Sequence, residues 1–240
     1  MKVKDIPLIT CFEIINFIFQ NRLLMLIFEI MKKILAIMAA AVTVFISCAP
    51  KSVELLNGKN LEGWSFIVDG DVDPGEVFYV EDGCAVISGA PFGYMYTDKE
   101  YSSYDLEVEY AWIGSGTNSG VFLNIGNKSK PFPECVECNL KVGGAGTFVL
   151  LGGASVKEYK LPEDGIMPKF PRIDQVNEPS EKPDGEWNLV KAEVRDGHIK
   201  VYVNGVLQNE CTDLRTSGNI GLQSEGGPVK FRSVRITETE

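Results

Sequence analysis

From Tyr104 to Trp112 the chain alternates: Tyr104, Leu106, Val108, Tyr110 and Trp112 fall on one side of an extended backbone, and Asp105, Glu107, Glu109 and Ala111 on the other. A sustained period of two makes a β-strand with one face in a core and one toward water. The pattern returns at Val121-Leu123-Ile125 and at Val136-Cys138-Leu140, and Thr147 to Leu151 reads as a short apolar strand. Asp82-Gly83, Asp196-Gly197 and Asn204-Gly205 each separate two such runs. Both residues of a two-residue hairpin turn take positive φ, which Asp, Asn and Gly tolerate. Asn219 to Ser224 and Val229 to Ile236 complete the series, and no stretch after Cys48 holds helical periodicity. Many short strands joined by glycine-rich turns predict an all-β fold, a two-sheet antiparallel sandwich or jelly roll. The exception is 160–185, with five prolines (Pro162, Pro168, Pro171, Pro179, Pro183), which reads as a long surface loop able to wall a groove.

The N-terminal part follows another rule. Lys32-Lys33, the apolar run Ile34 to Ile46 and then Ser47-Cys48 have the layout of a bacterial lipoprotein signal: basic flank, short apolar stretch, small residue, cysteine. This predicts lipidation at Cys48 and a mature chain outside the cytoplasm, in the periplasm or at the cell surface, touching membrane only through its lipid. The predicted organisation is 1–30, an extra apolar segment or an upstream mis-start with translation beginning at Met31; 31–47, the signal; 48–53, the tether; and 54–237, the jelly roll. The alternative is one membrane anchor made of both apolar runs.

Composition narrows the function. From Cys48 onward 18 Lys and Arg stand against 30 Asp and Glu, a net charge of −12. Nucleic acid requires a concentrated basic surface, so it is excluded as a partner. Cys135-Val-Glu-Cys138 is a lone C-x-x-C, and His198 is the only histidine, so a structural zinc site is not expected and buried thiols are. A metal would need oxygen ligands such as Glu109, Glu137 or Glu225, which suit calcium, magnesium or manganese.

Several strands carry an unusual polar row: Asn118 and Asn124 with Phe122 between them, Glu137, Asn139 and Lys141, Gln223 and Glu225, and Arg232. On one sheet these would make a face rich in amide, carboxylate and cation. Sugars bind such faces, because amides and carboxylates fork onto vicinal hydroxyls while aromatics cover the apolar side of the ring.

Leu56-Asn57-Gly58-Lys59-Asn60-Leu61-Glu62-Gly63-Trp64 resembles the opening of the 3-keto-disaccharide hydrolase family, also described as 3-keto-glucoside lyase/hydratase-like. The resemblance continues through 104–109, 118–123, Gly185-Glu186-Trp187-Asn188, Val203-Asn204-Gly205, Gly221 to Gly226 and Phe231 to Ile236, in the family's order. The chain departs from the pattern at Asn124, where the family often has Arg, at Glu137-Cys138-Asn139, where it has Glu-x-Gln, and near Glu225, where it often has His.

The resemblance implies a concanavalin A-like jelly roll of the lectin/glucanase type and cleavage of glycosides already oxidised at C3. A C3 ketone acidifies the C2 proton; a carboxylate removes it, the enolate expels the C1 substituent, and water then adds. On this reading Glu137 is the expected base, with Glu109 as the second candidate. Lys141, Arg232 or a divalent cation stabilises the enolate, and Asn118, Asn139, Gln223 and Glu225 orient hydroxyls. Two other functions fit the same residues: a non-catalytic, lectin-like glycan-binding lipoprotein, and direct glycosidase action by two carboxylates.

Overall fold

The structure is a computed structural model that describes residues 11–47, 51–128, 131–213 and 215–239. It divides into two compact units, Met1–Ala49 and Pro50–Glu240.

In the first unit, α1 (Cys11–Ser47) is a single helix that runs through residue 31 without a break. Its segment Glu13–Ala36 has 24 residues of mean hydropathy 1.5, none of it buried, and is long and apolar enough to cross a membrane. The lipidation expected at Cys48 lies outside the described residues.

Among the described residues the second unit contains fifteen strands in chain order. They are β1 (Ser52–Glu54), β2 (Trp64–Val68), β3 (Phe78–Glu81), β4 (Cys84–Ile87), β5 (Gly93–Thr97), β6 (Tyr104–Trp112), β7 (Gly120–Ile125) and β8 (Cys135–Asn139). There follow β9 (Phe148–Leu151), β10 (Arg172–Ile173), β11 (Asn188–Arg195), β12 (His198–Val203), β13 (Val206–Thr212), β14 (Asn219–Ser224) and β15 (Val229–Glu238). One sheet has the order β13-β12-β11-β6-β15-β4-β3, with β1 added alongside β15; the other has the order β10-β9-β8-β7-β14-β5-β2. All pairings are antiparallel, so the chain is a two-sheet jelly-roll sandwich, as the alternation predicts. The three hairpin turns lie where the sequence puts them, with Asp82, Asp196 and Asn204 at φ 49, 47 and 49 and a positive-φ glycine after each.

Leu106, Val108 and Tyr110 of β6 and Val190, Ala192 and Val194 of β11 pack between the sheets with Val121, Leu123, Val136, Cys138, Phe148 and Leu150. The two sheets differ in a way that bears on function. Strands β6, β11 and β12 alternate buried and part-exposed residues, the mark of a sheet with one wet face. Strands β7, β8, β9 and β14 are buried at every position. Their outer face holds a second apolar cluster, with Tyr94, Phe122, Ile125, Cys135, Val149 and Leu151. Connecting segments cover it, among them the 160–185 loop, which contributes β10 to the edge through Val149 and Phe148.

Cys84, Cys135, Cys138 and Cys211 are free thiols. Cys135 belongs to the outer cluster and Cys138 to the core, so the two point to opposite faces of β8 and cannot serve one metal or one disulfide.

Candidate active site

The register of the seven-stranded sheet assembles the site. Phe122 stands opposite Glu137, Glu137 opposite Val149, and Val149 opposite Arg172, so one cross-strand row carries carboxylate and guanidinium two strands apart. Asn139 stands opposite Gly120 in the next row, and Asn118 pairs with Glu225 just beyond. Asn118, Phe132, Glu137, Asn139, Val149, Leu151, Phe170, Arg172 and Glu225 line a cavity of about 130 Å³. A larger groove of about 470 Å³ adjoins it, sharing Arg172 and bounded by Lys141, Thr147 and the loop residues 174–179. The small cavity admits the reacting end of a ligand, and the groove has the volume of an ordinary ligand site.

Glu137 is 2 % exposed, and its Oε1 is buried with no hydrogen-bond partner. It lies over Gly120: a Cβ there would stand 2.7 Å from Oε1 and 2.8 Å from Cγ, so the glycine makes the room that the carboxyl occupies. Burial raises the pKa of Glu137 well above the carboxylate range; the charge of Glu225 adds to the shift and that of Arg172 opposes it. Burial also raises Glu225, against hydrogen bonds from Asn118 and Gln223 and the charge of Lys141. The Gln223 Nε2 donates to Glu225 Oε2 at 2.8 Å, and Asn139 Oδ1 accepts from the backbone N–H of Lys141 at 2.5 Å. Besides Glu137 Oε1, the amide oxygens Asn118 Oδ1 and Gln223 Oε1 are buried without a donor. Unpaired buried acceptors are rare; Glu137 and Asn118 line the cavity, so their oxygens mark where a ligand's donors go, while Gln223 is not part of that lining.

Side-chain amides, those of Gln208 and Asn209 buried and that of Gln175 half-buried, fix the wall. Asn209 Nδ2 donates to the carbonyls of Ile173 and Asp174 at 2.8 and 3.2 Å, Gln208 Nε2 to that of Glu178 at 3.1 Å, and Gln175 Nε2 to that of Ala145 at 2.6 Å. The Leu150 N–H donates to Pro171 O at 2.8 Å, which holds the residue before Arg172 against β9.

Of the residues singled out in the sequence, Asn118, Glu137, Asn139 and Glu225 meet at the cavity, with Gln223 behind Glu225 and Lys141 in the groove. Four others are elsewhere. Glu109 and Arg232 lie on β6 and β15 of the other sheet, where they form an exposed ion pair. Phe122 is completely buried against Tyr94, with ring centroids 5.5 Å apart, and does not line the cavity. Asn124 takes φ 54 beside a register shift in the β7–β14 pairing, and its side chain bonds Asp213 and the Arg215 carbonyl. The bulge turns it off the polar row. Among the described residues no group of three or more His, Cys, Asp or Glu is placed to hold a metal ion, and Glu109 lies on the other sheet from Glu137 and Glu225. The sequence reading missed Arg172, Phe132 and Phe170, which sit among prolines in segments with no periodicity.

Residues 51–237 match the sequence profile of the 3-keto-alpha-glucoside-1,2-lyase-like domain. The chain belongs to this family. No curated protein matches it. Among solved structures, a candidate glycosyl hydrolase from Parabacteroides distasonis is 24% identical with a TM-score of 0.57, covering 79% of this chain and 100% of that one. The carbohydrate-binding module CBM66 from Bacillus subtilis is 15% identical with a TM-score of 0.53, covering 73% and 96%. The Bacillus licheniformis beta-glucanase is 13% identical with a TM-score of 0.52, covering 79% and 98%. At these identities the likeness is one of fold, the concanavalin-like jelly roll. In this chain two carboxyls, three amides and the exposed guanidinium of Arg172 share one sheet face.

Proposed function

We propose that the protein is an extracytoplasmic enzyme, anchored by lipid at Cys48, that cleaves 3-keto-glycosides by elimination and hydration. The observation that carries this reading is the carboxyl pair Glu137 and Glu225 beside Arg172, in a chain of the 3-keto-alpha-glucoside-1,2-lyase-like family. The apolar helix near the N-terminus supports the location.

The environments of the two carboxyls divide the work. Glu225 receives hydrogen bonds from Asn118 and Gln223 and feels the Lys141 charge, all of which favour its ionised form. Glu137 is fully buried beside that negative charge and keeps its proton to higher pH. Pairs of carboxyls pushed apart in this way act as base and acid. Glu225 then removes the C2 proton of the 3-keto sugar, and the Arg172 guanidinium stabilises the negative charge that develops on the C3 oxygen. Glu137, expected from sequence to be the base, instead donates its proton to the C1 oxygen as that bond breaks. The products are the free alcohol and a 1,2-unsaturated 3-keto sugar; addition of water across the double bond completes a net hydrolysis. The unpaired oxygen of Asn118 accepts from a sugar hydroxyl, and Gln223 holds Glu225 in place.

The test is release of aglycone from a panel of 3-keto-glucosides by the detergent-solubilised full chain, with Glu137→Gln and Glu225→Gln alongside. Loss of turnover in both variants, with binding of the parent glycosides retained, is the expected result. Turnover that survives in either variant removes that carboxyl from the scheme. Binding by the wild type without any turnover returns the protein to the lectin-like reading.

A further inference from the structure

The strands supply the polar groups of the site, and the connecting segments supply something different. Phe92 precedes β5, Phe132 precedes β8 and Phe170 precedes Arg172 of β10, and Phe132 contacts both of the other rings. Centroids are 5.9 Å apart for Phe92 and Phe132 and 5.0 Å apart for Phe132 and Phe170, the latter pair edge-to-face. Phe132 and Phe170 line the Glu137–Glu225 cavity itself. The two outer rings are open to solvent, Phe92 at 43 % and Phe170 at 36 %. Both are held in place: Ser224 Oγ donates to the carbonyl of Pro91 at 2.9 Å, the Phe92 carbonyl accepts from the Asp69 N–H at 2.8 Å, and the Lys169 ammonium stands 5.0 Å from the Phe170 centroid.

We infer that this phenylalanine ridge is the leaving-group subsite and that it takes an aromatic aglycone; the inference rests on the glycoside-cleaving reading above. The rings next to the acid–base pair offer flat apolar faces, with the Lys169 ammonium over that of Phe170 as a polar group beside them. A sugar lays one apolar face on such rings but still needs polar partners for the hydroxyls at its edge, whereas an aryl group needs none and stacks on them edge-to-face or offset. The keto sugar takes the polar floor of Asn118, Glu137, Asn139 and Glu225, and its C1 substituent leaves along the rings.

The experiment compares phenyl and methyl 3-keto-glucosides, in both anomers, on the wild-type full chain and on Phe170→Ala and Phe92→Ala. Both rings are surface-exposed, so the variants keep the core, and thermal melting verifies that they do. Wild type should favour phenyl over methyl in kcat/KM, and each variant should reduce that ratio by roughly 2- to 10-fold, the worth of one aromatic pair. Equal use of both substrates by the wild type, or an unchanged ratio in both variants, overturns the subsite while leaving the glycoside-cleaving reading intact. If neither substrate is turned over, that reading fails, and calorimetric binding of phenyl against methyl glucoside decides the ridge alone. A phenyl preference lost in the variants supports the ridge, and equal binding overturns it.

Discussion

Gly120→Ala tests whether the position of Glu137 matters to the chemistry. Gly120 has ordinary backbone geometry, so alanine brings no φ penalty; its Cβ would stand 2.7 Å from Glu137 Oε1 and 2.8 Å from Cγ. Ordinary van der Waals contact begins at 3.4 Å, so the carboxyl must retreat by about 0.7 Å. Overpacking of this kind costs about 1–3 kcal/mol, offset by about 0.4–1 kcal/mol from the stiffer unfolded chain. The net cost is at most about 2.6 kcal/mol, a fall in Tm of up to about 10 °C for a domain of this size. Catalysis is more sensitive, since a misplacement near 1 Å costs roughly 100-fold. Kinetics on 3-keto-glucosides should therefore show kcat down by about 10- to 100-fold in a protein that melts cooperatively. Full turnover in a folded Gly120→Ala protein would refute the claim that the glycine positions the acid.

Four other outcomes follow from the same geometry. Glu137 has a raised pKa in the native state, so its contribution to stability is fully present below the ordinary value near 4.3 and is lost as pH rises toward the native value. Tm should fall more steeply with rising pH in wild type than in Glu137→Gln, as read by calorimetry across that window. Asn209→Ala removes both hydrogen bonds to the carbonyls of Ile173 and Asp174 and should cost about 1–3 kcal/mol in denaturant melts, with a higher KM because Arg172 loses its support. Glu109→Gln, on the far sheet in an exposed ion pair, should leave kcat/KM unchanged. Turnover should survive chelator if Glu137 and Glu225 act as acid and base; loss of turnover restored by calcium or manganese would instead assign these carboxyls to a cation.

What the sequence disclosed depended on how local each signal is. The Asp-Gly and Asn-Gly turns and the alternation of Tyr104 to Trp112 are set by neighbouring residues, and they fall where expected. Alternation also put Glu137, Asn139 and Asn118 on one polar face. It could not say which strands share a sheet, and so Glu109 and Arg232 were grouped with a site from which topology separates them. Asn124 shows another limit, because a register shift against β14, far along the chain, breaks the period of its own strand. Phe122 has the right face but is sealed by Tyr94 from a distant strand. Arg172 had no legible pattern: its place depends on Pro171 docking to β9 and on the buried amide of Asn209, contacts that no spacing within 160–185 encodes.

The most direct test of elimination at this site follows the C2 hydrogen. A 3-keto-glucoside cleaved by the full chain in deuterium oxide should yield 3-keto-glucose carrying deuterium at C2, with the label absent from unreacted substrate incubated with Glu225→Gln. Cleavage that leaves the original C2 hydrogen in place would contradict the account and point to direct displacement at C1 by the two carboxyls.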